Sequence, residues 1–451
     1  MTDLPNGWVI AALGEMVANR DNQRVPVNAK DRSTRQGKVP YYGAAGQVGW
    51  IDSALYDEQL LLLGEDGVQF FDLGKTKAYI INGPSWVNNH AHVLGRITAG
   101  PSLPYLKYFL DQFDYHGYAN GTTRLKLTRS AMDTVPVRLA PLAEQERIVT
   151  AIEEAFSKLG AGEAGLRTAR QLLKRMREAV LAAAVTGRLV PQDPTDTPAA
   201  KLLADLGIET GSSDGLPDGW ACARLGDIAH VGSGTTPKRG TSGYWAGGTV
   251  PWLTSGLITN GDIREAREFV TERAMQETSL RLWPPGTLLV AMYGEGQTRG
   301  RCAELAIEAT CNQACAAISL AGGLLDYTRY VRLFFDANYS ANRRLASGGV
   351  QPNLNGGLIK NMVLAIPPSA ERTRIVAEVE RQFSFVEACE RAIDGGLVRS
   401  SALRRAVLKS AFEGRLVFQD PTDEPASVLL DRIRADVPPT RQRSRARAGI
   451  A

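Results

Sequence analysis

The sequence predicts an α/β protein of two mixed modules in pseudo-twofold repeat, joined by two long helices packed as an antiparallel coiled coil. Three observations carry this. Residues 187–203, GRLVPQDPTDTPAAKLL, return as 414–430, GRLVFQDPTDEPASVLL, identical at 13 of 17 positions and offset by 227. The same offset holds upstream without a gap, where Pro141, Ala143, Glu144, Arg147, Ile148 and Val149 match Pro368, Ala370, Glu371, Arg374, Ile375 and Val376. Apolar residues recur every seven positions between these landmarks, the period of a coiled-coil seam. A long internal repeat requires the chain to be read as two copies of one unit.

The first globular module is expected over residues 1–140. It opens with Leu4-Pro5-Asn6-Gly7-Trp8, which returns as Leu216-Pro217-Asp218-Gly219-Trp220 at the head of the second, expected over 216–367. Weaker echoes follow with drifting offset: Val39-Pro40-Tyr41 with Val250-Pro251-Trp252, Gly64-Glu65-Asp66-Gly67 with Gly294-Glu295-Gly296, and Asn89-His90-Ala91 with Asn312-Gln313-Ala314. Short β-branched and leucine runs at 60–63, 78–81, 287–292 and 316–320 between glycine-rich turns read as strands. Helices are expected at 104–113 and 327–337.

The first long helix is expected within 141–190. Its seam is Ile152, Leu159, Leu166, Leu173 and Val180. The second, within 368–417, has the seam Val379, Val386, Ile393 and Val407, interrupted by a polar Ser400. Gly162 and Gly396 interrupt the helices with positions that permit close approach or a local break. Each helix of about 40 residues would be roughly 60 Å long at about 1.5 Å per residue. A single apolar stripe on so long a helix needs a partner, and the simplest is the other copy, antiparallel; two independent helices lying across their own modules are the alternative. Gly187 and Gly414 read as C-terminal stops. A largely polar connector follows at 191–215, and 418–451 forms a C-terminal segment with a basic tail.

Bulk properties exclude several classes. At 44% hydrophobic and 22% charged the composition is that of an ordinary globular protein. No run approaches the roughly 20 apolar residues that cross a bilayer, and MTDLPNGW is not a secretory signal, so a cytoplasmic protein is expected. The five cysteines (Cys222, Cys302, Cys311, Cys315, Cys389) are odd in number and read as reduced thiols. Cys311 and Cys315 lack a second pair, and His90 and His92 lack companions, so no metal is expected. The net charge of +4 is carried by the tail, because residues 432–451 contain six arginines and one aspartate. DNA binding by the body would therefore need local clusters.

No active site is legible. Gly74-Lys75-Thr76 resembles the end of a phosphate loop, but Gln69 stands where its first glycine belongs. Gly294 and Gly296 followed by Gly300 miss the dinucleotide fingerprint by one position. Amino-methyltransferase and nuclease motifs are absent, and four histidines leave little room for general-base chemistry. No cofactor is expected.

Polar and aromatic loops recur instead. The first module has Arg32, Arg35 and Lys38 before Tyr41 and Tyr42, then Arg124 and Lys126. The second has Thr235, Thr236, Lys238 and Arg239 before Tyr244, then Arg299, Gln351 and Asn353. Arg and Lys suit guanine edges and phosphates, Asn and Gln suit adenine, and Ser and Thr suit phosphates. Any one of these residues alone is better explained as solvated surface; the set, paired across both modules, points to DNA binding.

PLAEQERIV at the helix start, LKRMREAVLAAAVTGRL and SAFEGRL at the ends, and LPxGW opening each module together resemble the DNA-specificity subunits of Type I restriction–modification systems. TTPKRG, YWAGGTVPWLTSG, GTLLVAMYGEGQTRGR and TCNQACAAI resemble a target-recognition domain of that family. The resemblance reaches to about residue 431 and is weaker in the first module. It implies two target-recognition domains, each reading half of a bipartite site in double-stranded DNA, with the helices as a ruler for the unread spacer. It implies a non-catalytic subunit that binds two modification (methyltransferase) subunits, joined by restriction (translocase/nuclease) subunits, with no membrane partner. The rival is a coiled-coil adaptor positioning two protein ligands.

Overall fold

The computed structural model describes residues 4–259, 261–293, 298–345 and 354–436. The chain forms two compact units, Met1–Arg167 with Ile393–Ala451, and Thr168–Ala392. Each long helix, Leu142–Val185 and Ser369–Phe412, is thus divided between units rather than forming a segment of its own.

In the first unit, Val9–Ala12 pairs antiparallel with Pro136–Leu139. A four-stranded antiparallel sheet follows in the order Val17–Asn19, Ala91–Arg96, Leu60–Gly64, Ala78–Ile81. A second, mixed sheet is ordered Gly46–Ile51, Val39–Gly43, Pro84–Val87, Tyr56–Asp57, with the two central strands parallel. Leu60 to Leu63 form an unbroken apolar run because the strand is covered on both faces. Leu61 and Leu63 meet the helix Leu103–Gln112, whereas Leu60 and Leu62 face Tyr56 and Val87.

The second unit repeats the plan. Ala221–Arg224 pairs with Val363–Ile366, and a four-stranded sheet runs Ala229–Ser233, Cys315–Leu320, Leu288–Ala291, Cys302–Glu304. A three-stranded sheet runs Glu268–Val270, Val250–Leu253, Thr310–Cys311. Leu288 and Val290 again belong to one core, Leu289 and Ala291 to another. Tyr105 and Tyr330 lie on the equivalent helices Leu103–Gln112 and Thr328–Ala337, and each donates its hydroxyl to a closing-strand carbonyl, Arg138 or Ala365.

The long helices run antiparallel within each unit. In the first, Ser400 Oγ donates to Glu163 Oε1 at 2.6 Å, Arg404 Nε donates to the same atom at 3.2 Å, and Leu166 lies over Gly396. In the second, the Arg177 guanidinium lies over the Phe383 ring. Ile152, Val180, Val379, Val386 and Ile393 are buried, while Leu159, Leu166, Leu173 and Val407 are half-buried. Ser400 does not break the seam; it is buried there because Glu163 accepts its hydrogen bond. Gly162, expected to allow close approach, has nothing near its Cβ direction.

Three repeated motifs converge in each unit. Trp8 Nε1 donates to Glu144 Oε2 at 2.9 Å, and Trp220 Nε1 donates to Glu371 Oε2 at 3.0 Å. Arg147 grips both oxygens of Asp423, and Arg374 both oxygens of Asp196, at 2.5 and 3.4 Å in each case. Ala426 N donates to Gly7 O and Ala199 N to Gly219 O, both at 2.8 Å. Burial raises the Glu144 and Glu371 carboxyls, against the pull of the indole N–H. The segment after each helix therefore packs on the module of the other copy. The expected polar connector is accordingly structured, with Ala199 and Leu203 of the helix Ala199–Asp205 buried. Likewise the C-terminal segment holds the helix Ala426–Asp436, with Leu429, Leu430 and Ile433 buried.

Both helices end in a Schellman turn. Arg188 N donates to Ala183 O at 2.9 Å and Arg415 N to Ser410 O at 2.8 Å, around Gly187 (φ 67°) and Gly414 (φ 72°). A Cβ on Gly187 would stand 2.4 Å from Pro217 Cγ, and one on Gly414 would stand 2.3 Å from Pro5 Cγ. Gly187→Ala is expected to cost at least about 1–3 kcal/mol, from left-handed strain alone. A thermal melt checks this, and an unchanged midpoint would contradict the close packing.

Candidate nucleic-acid interface

In the first module the loop after Val17–Asn19 enters a short helix, Ala29–Thr34, capped by Asn28, whose side chain accepts from Asp31 N at 2.9 Å. This helix carries Arg32, whose guanidinium stacks 4.7 Å from the Tyr41 ring. Arg35 stacks 4.6 Å from Trp86 and donates to both oxygens of Asp52, at 2.6 and 3.1 Å. Its hydrogen bond raises Arg35 and holds the Asp52 carboxyl below its ordinary value. Lys38 is exposed.

Tyr41 must be corrected as a DNA-contacting residue. It is 1% exposed, because its ring joins Ile51 and Trp86 in a core and its hydroxyl donates to Val27 O at 3.1 Å. Tyr42 is half-buried, its ring 6.1 Å from that of Tyr79.

Arg124 pairs with Asp66 at 2.6 Å and Lys126 with Glu65 at 2.9 Å, each with more than half of its side chain exposed. Behind them lies a buried network. Glu65 also accepts from Arg24 at 2.7 Å; His92 contacts Asp21 at 2.6 Å through Nδ1 and Leu127 O at 2.8 Å through Nε2. The sequence left His92 without companions, yet its ring nitrogen and oxygens of Asp21 and Glu65 lie within 4.8 Å of one another. Strand pairing of Val17–Asn19 and Leu60–Gly64 to Ala91–Arg96 brings them together. Every group is committed to ion pairs or backbone, so the set holds the 124–127 segment to the module rather than presenting free ligands.

Burial pushes the Asp21 carboxyl up, but His92 and the Val93 N–H outweigh it and leave it below its ordinary value of 3.8. A depressed folded-state value contributes stability above pH 3.8, lost as the pH falls through the folded-state value. The acid limb of unfolding is therefore expected to start below about pH 4. Asp21→Asn should shrink that limb and lower stability at pH 7; urea midpoints across the range check this, and an unaltered limb would contradict it.

In the second module the loop after Ala229–Ser233 is stitched to the turn after Thr310–Cys311. Thr235 N donates to Cys311 O at 2.9 Å, and Thr236 Oγ1 donates to Gln313 Oε1. Only glycine fits at Gly234, where a Cβ would stand 1.9 Å from Cys311 O. Thr235 Oγ1 also lies 2.9 Å from Ser279 Oγ. The Arg239 guanidinium lies 4.0 Å from Trp245 and 4.7 Å from Trp252 and pairs with Glu268, while 54% of its side chain stays exposed. Lys238 is exposed. Tyr244 donates to Glu277 at 3.0 Å, which raises its hydroxyl. Arg299 is half-buried at a turn before Gly300. Gln351, Asn353, Gly294 to Gln297 and the basic tail lie outside the described residues.

The structure adds residues the sequence reading left out. Asn88, Asn89 and His90 line a cleft with Arg32 and Asn28 in the first module, and Gln313 faces Thr236 in the second. Their signal was present in the repeated Asn89-His90-Ala91 and Asn312-Gln313-Ala314, without a hint that each turn faces the loop after the first sheet strand. Gly74-Lys75-Thr76 runs directly into the strand Ala78–Ile81, so no helix N-terminus follows it to hold a phosphate.

Fold and loops together define a protein of two related α/β modules, each packed with its own antiparallel portions of the two long helices. Comparison with known proteins makes this specific. The family described as Type I restriction modification DNA specificity domain matches residues 5–163 and again 217–388, and the chain belongs to that family. The StySPI specificity subunit of Salmonella potsdam is 24% identical over 327 residues, 68% of this chain and 65% of its own length. The chain therefore spans about two thirds of that relative. The EcoDI specificity subunit of Escherichia coli is 22% identical over 465 residues, 96% of each chain. A solved chain from work on complex assembly and conformational transition of the type I R-M system has the same fold, with a TM-score of 0.67 at 16% identity, covering 92% of this chain and 99% of that one. Among the described residues no helix is long and apolar enough to cross a membrane.

Proposed function

We propose that this chain is the non-catalytic DNA-specificity subunit of a Type I restriction–modification complex. Each module reads one half of a bipartite duplex site, and the helix pair sets the unread spacer. The observation that carries this is the match of one DNA-specificity family to both modules in turn. In the first module Arg32, Arg35, Lys38, Arg124 and Lys126 face the duplex, with Tyr42 at the edge; Asn88 and Asn89 join them. In the second, Thr235, Thr236, Lys238, Arg239, Tyr244 and Arg299 do so, together with Gln351 and Asn353. Arg35 and Arg239 hold Asp52 and Glu268 in solvent-accessible ion pairs. Such pairs contribute only about 0–1 kcal/mol, so a phosphate can replace the carboxylate at little cost.

The partners follow from the same reading: two methyltransferase subunits on the helix pair, restriction subunits joining that core, all in the cytoplasm. The test is duplex binding across salt concentrations. Counterion release predicts a steep fall of log K with log salt, about 0.9 per phosphate contact. Absent or salt-insensitive binding would favour the coiled-coil adaptor.

A further inference from the structure

The repeat also shows where its two copies differ. In the first unit Phe156 meets the Tyr108 ring edge-on, centroids 5.8 Å apart at 86°, and the Arg404 guanidinium stacks 4.9 Å from it. Arg404 is held by Glu163, which Ser400 also engages. Adding or subtracting 227 gives the second unit, where Phe383 carries Arg177 at 4.7 Å. Two substitutions change the outcome. Leu173 replaces Ser400, and Arg177 stands 3.9 Å from Glu390, the counterpart of Glu163, with its Nε buried and lacking a hydrogen-bond partner. Leu333 replaces Tyr108, in the register fixed by Tyr105 and Tyr330. Where the first unit places a tyrosine ring, the second has a cavity of about 590 Å³, lined by Phe383, Arg177, Leu333, Val379, Asp336 and Arg329 among others.

We propose that this cavity binds a planar heteroaromatic anion of mononucleotide size. Its ring would lie against Phe383, in the place Tyr108 takes in the first unit. Asp336 would accept from ring amino groups, and Arg177 would hold the phosphate. The volume falls in the range of small-molecule sites, roughly 300–1,000 Å³. A guanidinium both stacks and grips phosphate through its fork. A buried N–H without an acceptor is costly, and an anion supplies one. Arg301, Arg329 and Arg332 also line the cavity. Arg329 is closely paired with Glu380 at 2.7 Å and Arg332 with Asp262 at 2.6 Å. Arg177 reaches Glu387 and Glu390 only at 4.0 and 3.9 Å, so its loosely held guanidinium is assigned as the recognition cation. The proposal does not rest on the DNA reading, since binding is read without a duplex.

The experiment is calorimetric titration of the full chain with AMP, adenosine and inorganic phosphate. AMP is expected to bind with a Kd below about 1 mM, at least about tenfold tighter than adenosine or phosphate. Leu333→Tyr, which refills the cavity with the residue of the first unit, should abolish AMP binding and leave duplex affinity unchanged. Arg177→Met should reduce AMP to the level of adenosine. No AMP binding to the folded protein at about 10 mM, or AMP binding that survives Leu333→Tyr, overturns the proposal. Should Arg177→Met fail to fold, Leu333→Tyr decides alone.

Discussion

Arg239→Ala is expected to weaken binding of the cognate duplex by about 1–3 kcal/mol, on the order of ten- to hundredfold, and to relax specificity at one position of one half-site. Arg239 is pre-organised, as Arg35 is in the first module by Trp86 and Asp52. Two tryptophans and Glu268 fix its guanidinium plane while half of the side chain remains exposed, so little rotamer entropy is lost when it docks on a base edge. Arg239→Lys keeps the charge and loses the planar fork, so it should retain non-specific affinity and lose discrimination. Lys238→Ala, at an exposed neighbour without such packing, should weaken all duplexes alike and lower the salt slope by about one. Glu268→Gln releases the guanidinium from its ion pair and should not weaken binding. Binding to a library of single-base variants of the half-site reads all four substitutions. If Arg239→Ala changes neither affinity nor specificity, recognition lies in a different loop.

Adding one heptad to each long helix, after Arg167 and after Ala392, should lengthen the preferred spacer by about three base pairs and leave both half-sites unchanged. Seven residues at about 1.5 Å each add roughly 10.5 Å, and base pairs rise about 3.4 Å. A heptad keeps the seam on one face. Both insertions are needed because the antiparallel register is pinned by Ser400 and Arg404 on Glu163 in one unit and by Arg177 over Phe383 in the other. A single insertion cannot satisfy both and should yield a poorly folded protein. Selection of duplexes from a library with variable spacers measures the effect. A changed half-site, or an unchanged spacer in the folded double insertion, contradicts the ruler.

The long helices and the repeat were legible because both are periodic signals that survive without tertiary context. The buried leucine strand at 60–63 was legible for a similar reason, since a strand covered on both faces has no polar positions. What escaped the sequence was everything set by chain crossing. Nothing local in GRLVPQDPTD says that it packs on the Trp220 module and not on the one it follows. The polarity of the connector hid Ala199 and Leu203, a single i,i+4 pair too short to register as a helix. Among the site residues, Tyr41 was misplaced because Val-Pro-Tyr-Tyr reads alike as a loop or as a strand. Its inward face appears only once Val39–Gly43 pairs with Pro84–Val87 and stacks Tyr41 beside Trp86. The carboxylate partners of Arg35, Arg124 and Arg239 were equally out of reach, lying 17 to 58 residues away along the chain.

The central claim is that two readers on one frame recognise two half-sites at a fixed distance. Single-molecule sequencing of methylated adenines, in the host with and without this gene, tests it most directly. The account predicts that deletion removes one bipartite motif, two short half-sites separated by an unread spacer of constant length. Loss of a single contiguous motif, or a methylation pattern unchanged by the deletion, would contradict it.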